Sequence, residues 1–106
     1  MERALINLPQ NAKKGEIIEI KAMIAHGMET GYRIGITGKP IPRNIIDRFV
    51  CTYNGEEIFS AQLFAAISAN PFISFFTVAT ESGTLSFAWT DQHGKTLVKT
   101  ATITVE

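Results

Sequence analysis

The chain has 106 residues, ten basic and ten acidic side chains that cancel, and 45% hydrophobic residues. That length builds one core and not two, and the balanced charge supplies no long-range field to draw in nucleic acid or an anionic membrane. With Cys51 the only cysteine, neither an internal disulfide nor a four-thiolate zinc site can form, so packing must hold the fold.

No apolar run is long enough to span a bilayer. The opening residues, Met1-Glu2-Arg3-Ala4-Leu5-Ile6-Asn7, lack the long apolar segment of a secretory signal, which by itself predicts a cytoplasmic protein. Fourteen Ile, four Val and eleven Thr push the chain toward strands, because branched side chains suit a pleated surface.

Residues 3–8 read as a short first strand, stopped by Pro9 and the polar turn at 10–15. Residues 16–25 alternate cleanly: Ile18, Ile20, Ala22 and Ile24 point one way, Glu19 and Lys21 the other. That is the pattern of a half-buried antiparallel strand. Residues 26–44 carry half of the glycines (Gly27, Gly31, Gly35, Gly38) and half of the prolines (Pro40, Pro42). This long loop is either a binding element or the crossover that a Greek-key sandwich requires, with a small ribbon expected at 34–38.

Residues 48–63 hold a hairpin signal, Asn54-Gly55 between two apolar runs. A two-residue loop pairs Cys51 with Ile58 and Val50 with Phe59, leaving both faces apolar. A three-residue loop with Gly55 in the left-handed position shifts the parity by one. Phe49, Cys51, Phe59, Ala61 and Leu63 then share a face opposite Val50, Thr52, Glu56, Ile58 and Ser60, and this cleaner register is the expected one. The residues alone leave a rival open, in which Asn54 caps a helix, Glu57 returns to it, and the helix runs to Ala69.

Residues 65–70 suggest a turn or one helical turn, closed by Pro71. Residues 72–79 form a strand with no polar face: Phe72 and Phe76 lie on one side, Ile73 and Phe75 on the other. After a turn at 80–83, Leu85, Phe87 and Trp89 alternate inward against Thr84, Ser86 and Thr90. Asp91-Gln92-His93-Gly94 turns the chain into a closing strand at 95–106. Six to eight such strands predict an all-β, two-sheet antiparallel sandwich, one domain over residues 1–106.

Each sheet of a sandwich buries one face only. A strand with phenylalanines on both faces therefore leaves apolar area that marks a partner surface, unless a neighbouring loop covers it. The candidate partner contacts are Phe72, Phe76, Val50 and Ile58. Chemistry is scarce by contrast. Cys51 sits in mid-strand on the expected core face, where a thiol without a cationic neighbour stays inert. His26 and His93 stand far apart with no carboxylate at ligand spacing, so no metal or catalytic set emerges. Lys and Arg are too scattered for a nucleic-acid groove, no phosphate-cradling glycine loop precedes a helix, and Trp89 reads as a large core residue. Such a chain is expected to bind, carry or scaffold rather than to catalyse, with no cofactor.

Several segments together resemble the SoxZ family of sulfur-oxidation carrier proteins. They are His26-Gly27-Met28-Glu29-Thr30-Gly31, Gly38-Lys39-Pro40-Ile41-Pro42-Arg43-Asn44-Ile45-Ile46, Arg48-Phe49-Val50-Cys51-Thr52-Tyr53-Asn54-Gly55, Ile67-Ser68-Ala69-Asn70-Pro71-Phe72 and Glu81-Ser82-Gly83-Thr84-Leu85-Ser86-Phe87-Ala88-Trp89. Two departures are Gly27, where the family pattern has proline, and the apolar run at 32–36. The resemblance implies an immunoglobulin-like sandwich and favours strand over helix at 57–63. It implies a non-catalytic subunit that pairs with SoxY in a heterodimer, the partner's flexible arm carrying on its cysteine the oxidised sulfur intermediates of thiosulfate oxidation. Separate periplasmic Sox enzymes act on that carrier. The implied location is the periplasm, reached by co-export with a signal-bearing partner. Met28, Glu29, Pro42, Arg43 and Asn44 are then candidates to meet the arm or the enzymes, with Arg43 either attracting an anionic sulfur adduct or making a surface ion pair. Expressed alone, the chain is expected to self-associate or to expose apolar surface. Two further classes stand beside this one: a free-standing immunoglobulin-like binding module, and a thiol enzyme using Cys51.

Overall fold

The computed structural model describes residues 3–25, 35, 38–39, 45–63 and 71–106. Eight strands follow one another: β1 (Arg3–Asn7), β2 (Asn11–Ala12), β3 (Ile17–Ala25), β4 (Ile46–Tyr53), β5 (Glu56–Gln62), β6 (Phe72–Val78), β7 (Gly83–Asp91) and β8 (Thr96–Val105). They make a three-stranded sheet in the order β1-β3-β6 and a five-stranded sheet in the order β2-β8-β7-β4-β5. Every pairing is antiparallel except that of β2 with β8. The molecule is a two-sheet sandwich, as the spacing of strands and turns predicts, and of the immunoglobulin-like kind that the resemblance implies.

Alternation builds the core. Ile18, Ile20, Ala22 and Ile24 from β3 meet Phe49, Cys51 and Tyr53 from β4 and Leu85, Phe87 and Trp89 from β7, all buried. Phe49 is the hub, with ring centroids 5.2 Å from Trp89, 6.1 Å from Phe59 and 6.3 Å from both Phe75 and Phe87. Phe59 of β5 stacks on Phe75 of β6 at 4.4 Å and 7°, joining the two sheets along one side. On the opposite side Lys99 of β8 reaches across and donates to the Ala4 carbonyl of β1 at 2.9 Å. An inward-reaching charge of this kind blunts a sheet edge. The Trp89 indole N–H has no partner among the described residues.

The hairpin departs from the expected register. Asn54 and Gly55 both take positive φ, 50° and 85°, and Tyr53 faces Glu56 across a two-residue turn. Two successive left-handed residues match the strand twist, which is why Asn-Gly suits this turn. The parity shift arises further along, where Thr52 faces Glu57 and Cys51 faces Phe59, leaving Ile58 as the extra residue of a bulge. Beyond the bulge the expected partners hold, with Phe49 opposite Ala61. Before it they do not: Ile58 and Glu56 are on the side of Tyr53, not beside Val50. The rival helix is excluded through Gln62, because β5 is a strand.

Asn54 also locks the next turn. Its side chain accepts from the Thr84 N–H at 2.9 Å and donates to the Glu81 carboxylate at 3.1 Å, lying directly over Gly83. The Tyr53 hydroxyl bonds to the Glu81 carbonyl and accepts from the Glu81 N–H at 3.3 Å. One strand went unseen in the sequence. β2, read there as a polar turn, pairs with the end of β8, and the Lys14 N–H donates to the Glu106 carbonyl at 2.9 Å. Of the ribbon expected at 34–38, only Gly35 and Gly38 lie among the described residues; the Gly35 amide donates to the Lys39 carbonyl at 2.8 Å. The turn expected at 65–70 lies outside the described residues.

Candidate partner-binding face

The outer face of the β1-β3-β6 sheet collects most of the exposed apolar side chains among the described residues. Strand register fixes its rows. Leu5, Met23 and Phe72 stand side by side, then Asn7, Lys21 and Ser74, then Glu19 and Phe76, and last Ile17 and Val78. Ile17 is 69% exposed, Phe76 66%, Phe72 59%, Leu5 53% and Val78 45%. Two apolar ends thus flank a polar waist, where Lys21 Nζ lies 3.7 Å from Glu19 and the Ser74 hydroxyl donates to Glu19 at 3.1 Å. A shallow depression of about 360 Å³ lies at one end, lined by Leu5, Ile6, Asn7, Lys21, Met23 and Phe72.

β6 has this character because its inner positions are already satisfied. Phe75 fills the core and Ile73 packs against it, so Phe72, Ser74, Phe76 and Val78 face out. The backbone repeats that division. Pro71 and Ala79 exchange bonds with the β3 side, namely Ile24 N–H to the Pro71 carbonyl and Ala79 N–H to the Glu16 carbonyl. Antiparallel alternation then turns the N–H and C=O groups of Phe72, Ser74, Phe76 and Val78 away from β3. No described strand pairs with that edge.

The four side chains singled out as partner contacts do not form one surface. Phe72 and Phe76 share the face just described. Val50 is half-buried on the outer side of the other sheet, between Ser60 and Ala88. Ile58, the bulge residue, packs against the core and lines a groove with Tyr53, Glu56, Thr77 and Val78. Met28, Glu29, Pro42, Arg43 and Asn44 lie outside the described residues, as does His26. Leu5, Ile17, Met23 and Val78 were not singled out in the sequence. Part of their signal was available: Ile17 and Met23 are the odd-numbered partners of the alternation that puts Ile18 and Ile24 inside, and Val78 shares the parity of Phe76, but only the register sets Leu5 and Ile17 beside the phenylalanines.

Cys51 is wholly buried, and burial pushes its thiol up from 9.0 to about 12. A thiol held protonated at neutral pH is a poor nucleophile. Asp91 is the buried polar residue of the β7-β8 turn, accepting from the His93 and Lys95 N–H groups at 2.9 Å each, while His93 is exposed. Among the described residues no group of three or more His, Cys, Asp or Glu side chains could hold a metal ion.

A family model described as sulphur oxidation protein SoxZ matches residues 6–102. The chain belongs to the SoxZ family. No significant match exists among curated protein sequences. Solved structures share the fold at low identity. The sulfur carrier protein SoxY from Chlorobium limicola f thiosulfatophilum is 10% identical, with a TM-score of 0.70 over 97% of this chain and 79% of that one. A superoxide reductase (neelaredoxin) from Ignicoccus hospitalis is 14% identical, with a TM-score of 0.74 over 99% and 83%. A putative superoxide reductase from Thermotoga maritima is 18% identical, with a TM-score of 0.69 over 97% and 85%. Identities this low establish the sandwich alone. The SoxZ match carries the role, a place in sulfur oxidation.

Proposed function

We propose that this chain is the non-catalytic subunit of a SoxYZ-type sulfur-carrier complex. It supports a SoxY-like partner whose arm cysteine holds the sulfur intermediates of thiosulfate oxidation while separate Sox enzymes act on them. The observation that carries this reading is the SoxZ match across residues 6–102. The likeness in fold to a SoxY protein is consistent with two related sandwiches pairing. Two features of the molecule favour a supporting over a reacting role: the one thiol is buried and held protonated, and an apolar sheet face stands open.

On this reading the partner covers the outer face of the β1-β3-β6 sheet, with Phe72 and Phe76 as anchors. Large aromatic side chains in such positions dominate binding energy once desolvated. The working location is the periplasm, with export on the signal-bearing partner.

Co-expression with the SoxY-like protein of the same organism, followed by mass measurement of the purified species, tests the proposal. A one-to-one complex is expected. Phe72→Asp with Phe76→Asp should weaken it by roughly 100-fold or more, since each places a charge in an apolar interface. Cys51→Ser should leave sulfur loading on the partner unchanged. A chain that stays apart from its partner, or a Cys51→Ser complex that cannot be loaded, would overturn the reading.

A further inference from the structure

The outer face of the β1-β3-β6 sheet is complementary to itself. Its rows run, along β3, from Ile17 through Glu19 and Lys21 to Met23, so apolar ends flank one negative and one positive row. A two-fold axis lying in the plane of the face and crossing the strands at the level of Ile20 exchanges those rows. Glu19 then meets Lys21 of the second copy, and Lys21 meets its Glu19. Ile17 meets Met23, Val78 meets Phe72, and Phe76 meets Ser74. Ile17, the most exposed large hydrophobic side chain of the described residues, is thereby brought to the depression lined by Leu5, Met23 and Phe72.

From this geometry we infer that, without another partner, two copies of the chain bind face to face through these sheets as an isologous dimer. Both requirements of a closed two-fold contact are met. The axis sets apolar end against apolar end and each charge against its opposite, and because it crosses the strands at right angles it keeps the strands of the two sheets aligned, the common geometry of sheet-on-sheet packing. The area is adequate. Leu5, Ile17, Phe72, Phe76 and Val78 leave roughly 500 Å² of apolar surface in water, close to the apolar share of a standard interface of about 800 Å² per side. The four central carboxylates and ammoniums alternate in sign, so the waist adds complementarity and not repulsion. Arg3, the remaining charged side chain of the outer face, stands at its rim beside Ala25.

The contact uses the same surface as the proposed carrier complex, and its test contains no partner, so the two readings fail separately. Sedimentation equilibrium of the isolated chain at low salt should show a dimer. Glu19→Lys alone places lysines against lysines, and Lys21→Glu alone places carboxylates against carboxylates. Each should weaken the dimer by roughly 100-fold, because like charges facing across an interface repel strongly. An equimolar mixture of the two variants should restore a dimer containing one of each. In that mixed pair the all-lysine waist of the first variant faces the all-carboxylate waist of the second, so every facing pair is again opposite in sign. Circular dichroism confirms that each variant is folded. Phe76→Asp, which leaves Glu19 and Lys21 in place, should also be monomeric. A monomeric wild-type chain, a dimer that tolerates either single reversal, or a folded mixture that stays monomeric would each overturn the inference.

Discussion

Two residues show how single side chains carry structural weight here. The Cys51 thiol is lifted from 9.0 to about 12 because its thiolate would lie in an apolar layer with Phe49 and Phe87. Its contribution to stability is complete below pH 9. As the pH rises from 9 toward 12 the unfolded chain releases this proton while the folded one keeps it, so stability is lost over that window. Relative to Cys51→Ala, the wild-type unfolding free energy in urea should fall by about 1.4 kcal/mol per pH unit between pH 9 and 12. Equal slopes would show that the thiol ionises in place.

Gly83 is constrained by a neighbour rather than by its own backbone. A Cβ there would sit 1.8 Å from the Asn54 side-chain oxygen, the atom that accepts from the Thr84 N–H. Gly83→Ala must push Asn54 aside and lose its bonds to Thr84 and Glu81, a cost of about 1–3 kcal/mol. In an Asn54→Gly background, which keeps the turn's positive φ, the same change should cost much less. Thermal unfolding of the four proteins gives the coupling directly, and additive effects would refute it. The sequence shows Asn54 and Gly83 each as a turn residue. Nothing in it places one on the other, since their contact depends on β4 pairing with β7.

At the scale of the element, β6 is the informative case. Ile73, Phe75, Phe72 and Phe76 give both faces apolar character, so periodicity reveals a strand and an uncovered side but not which side. The choice comes from across the core, where Phe59 and Phe49 receive Phe75. Two adjacent residues should therefore behave oppositely. Phe75→Ala should destabilise the monomer by about 3–5 kcal/mol, as a large core truncation does. Phe76→Ala should change it by less than about 0.5 kcal/mol, as surface substitutions do. Denaturant titration checks both, and similar losses would contradict the assignment of faces. The β4-β5 hairpin teaches the complementary lesson. Asn54-Gly55 announces its turn locally, but the bulge at Ile58 answers to Phe59 reaching the far sheet, a demand that short-range pattern does not contain.

For the whole molecule, alternation of branched and polar residues makes the longer strands readable and with them the two-layer class. β2 is unreadable because two residues carry no period. Sheet order is unreadable as well, since β3 joins β6 and β4 joins β7 across long separations in the chain. The candidate site was half legible: Phe72 and Phe76 stood out, whereas Leu5 and Ile17 needed the register to bring them alongside. Val50 and Ile58 looked equivalent to them in sequence and are not, because one belongs to the other sheet and the other to a bulge.

The pairing of Ile17 with Val78 has a kinetic corollary. Much of the chain must be gathered before that ladder can close, and connections of such length slow folding toward the millisecond-to-second range of β proteins. Until then the sequence from Phe72 to Val78 travels without its neighbour, uncharged and rich in phenylalanine, the composition most prone to misassociation. A second subunit arriving early would therefore act as more than a binding partner. It would shorten the time for which this segment lies open to aggregation, and yield of folded protein would depend on the two chains being made together.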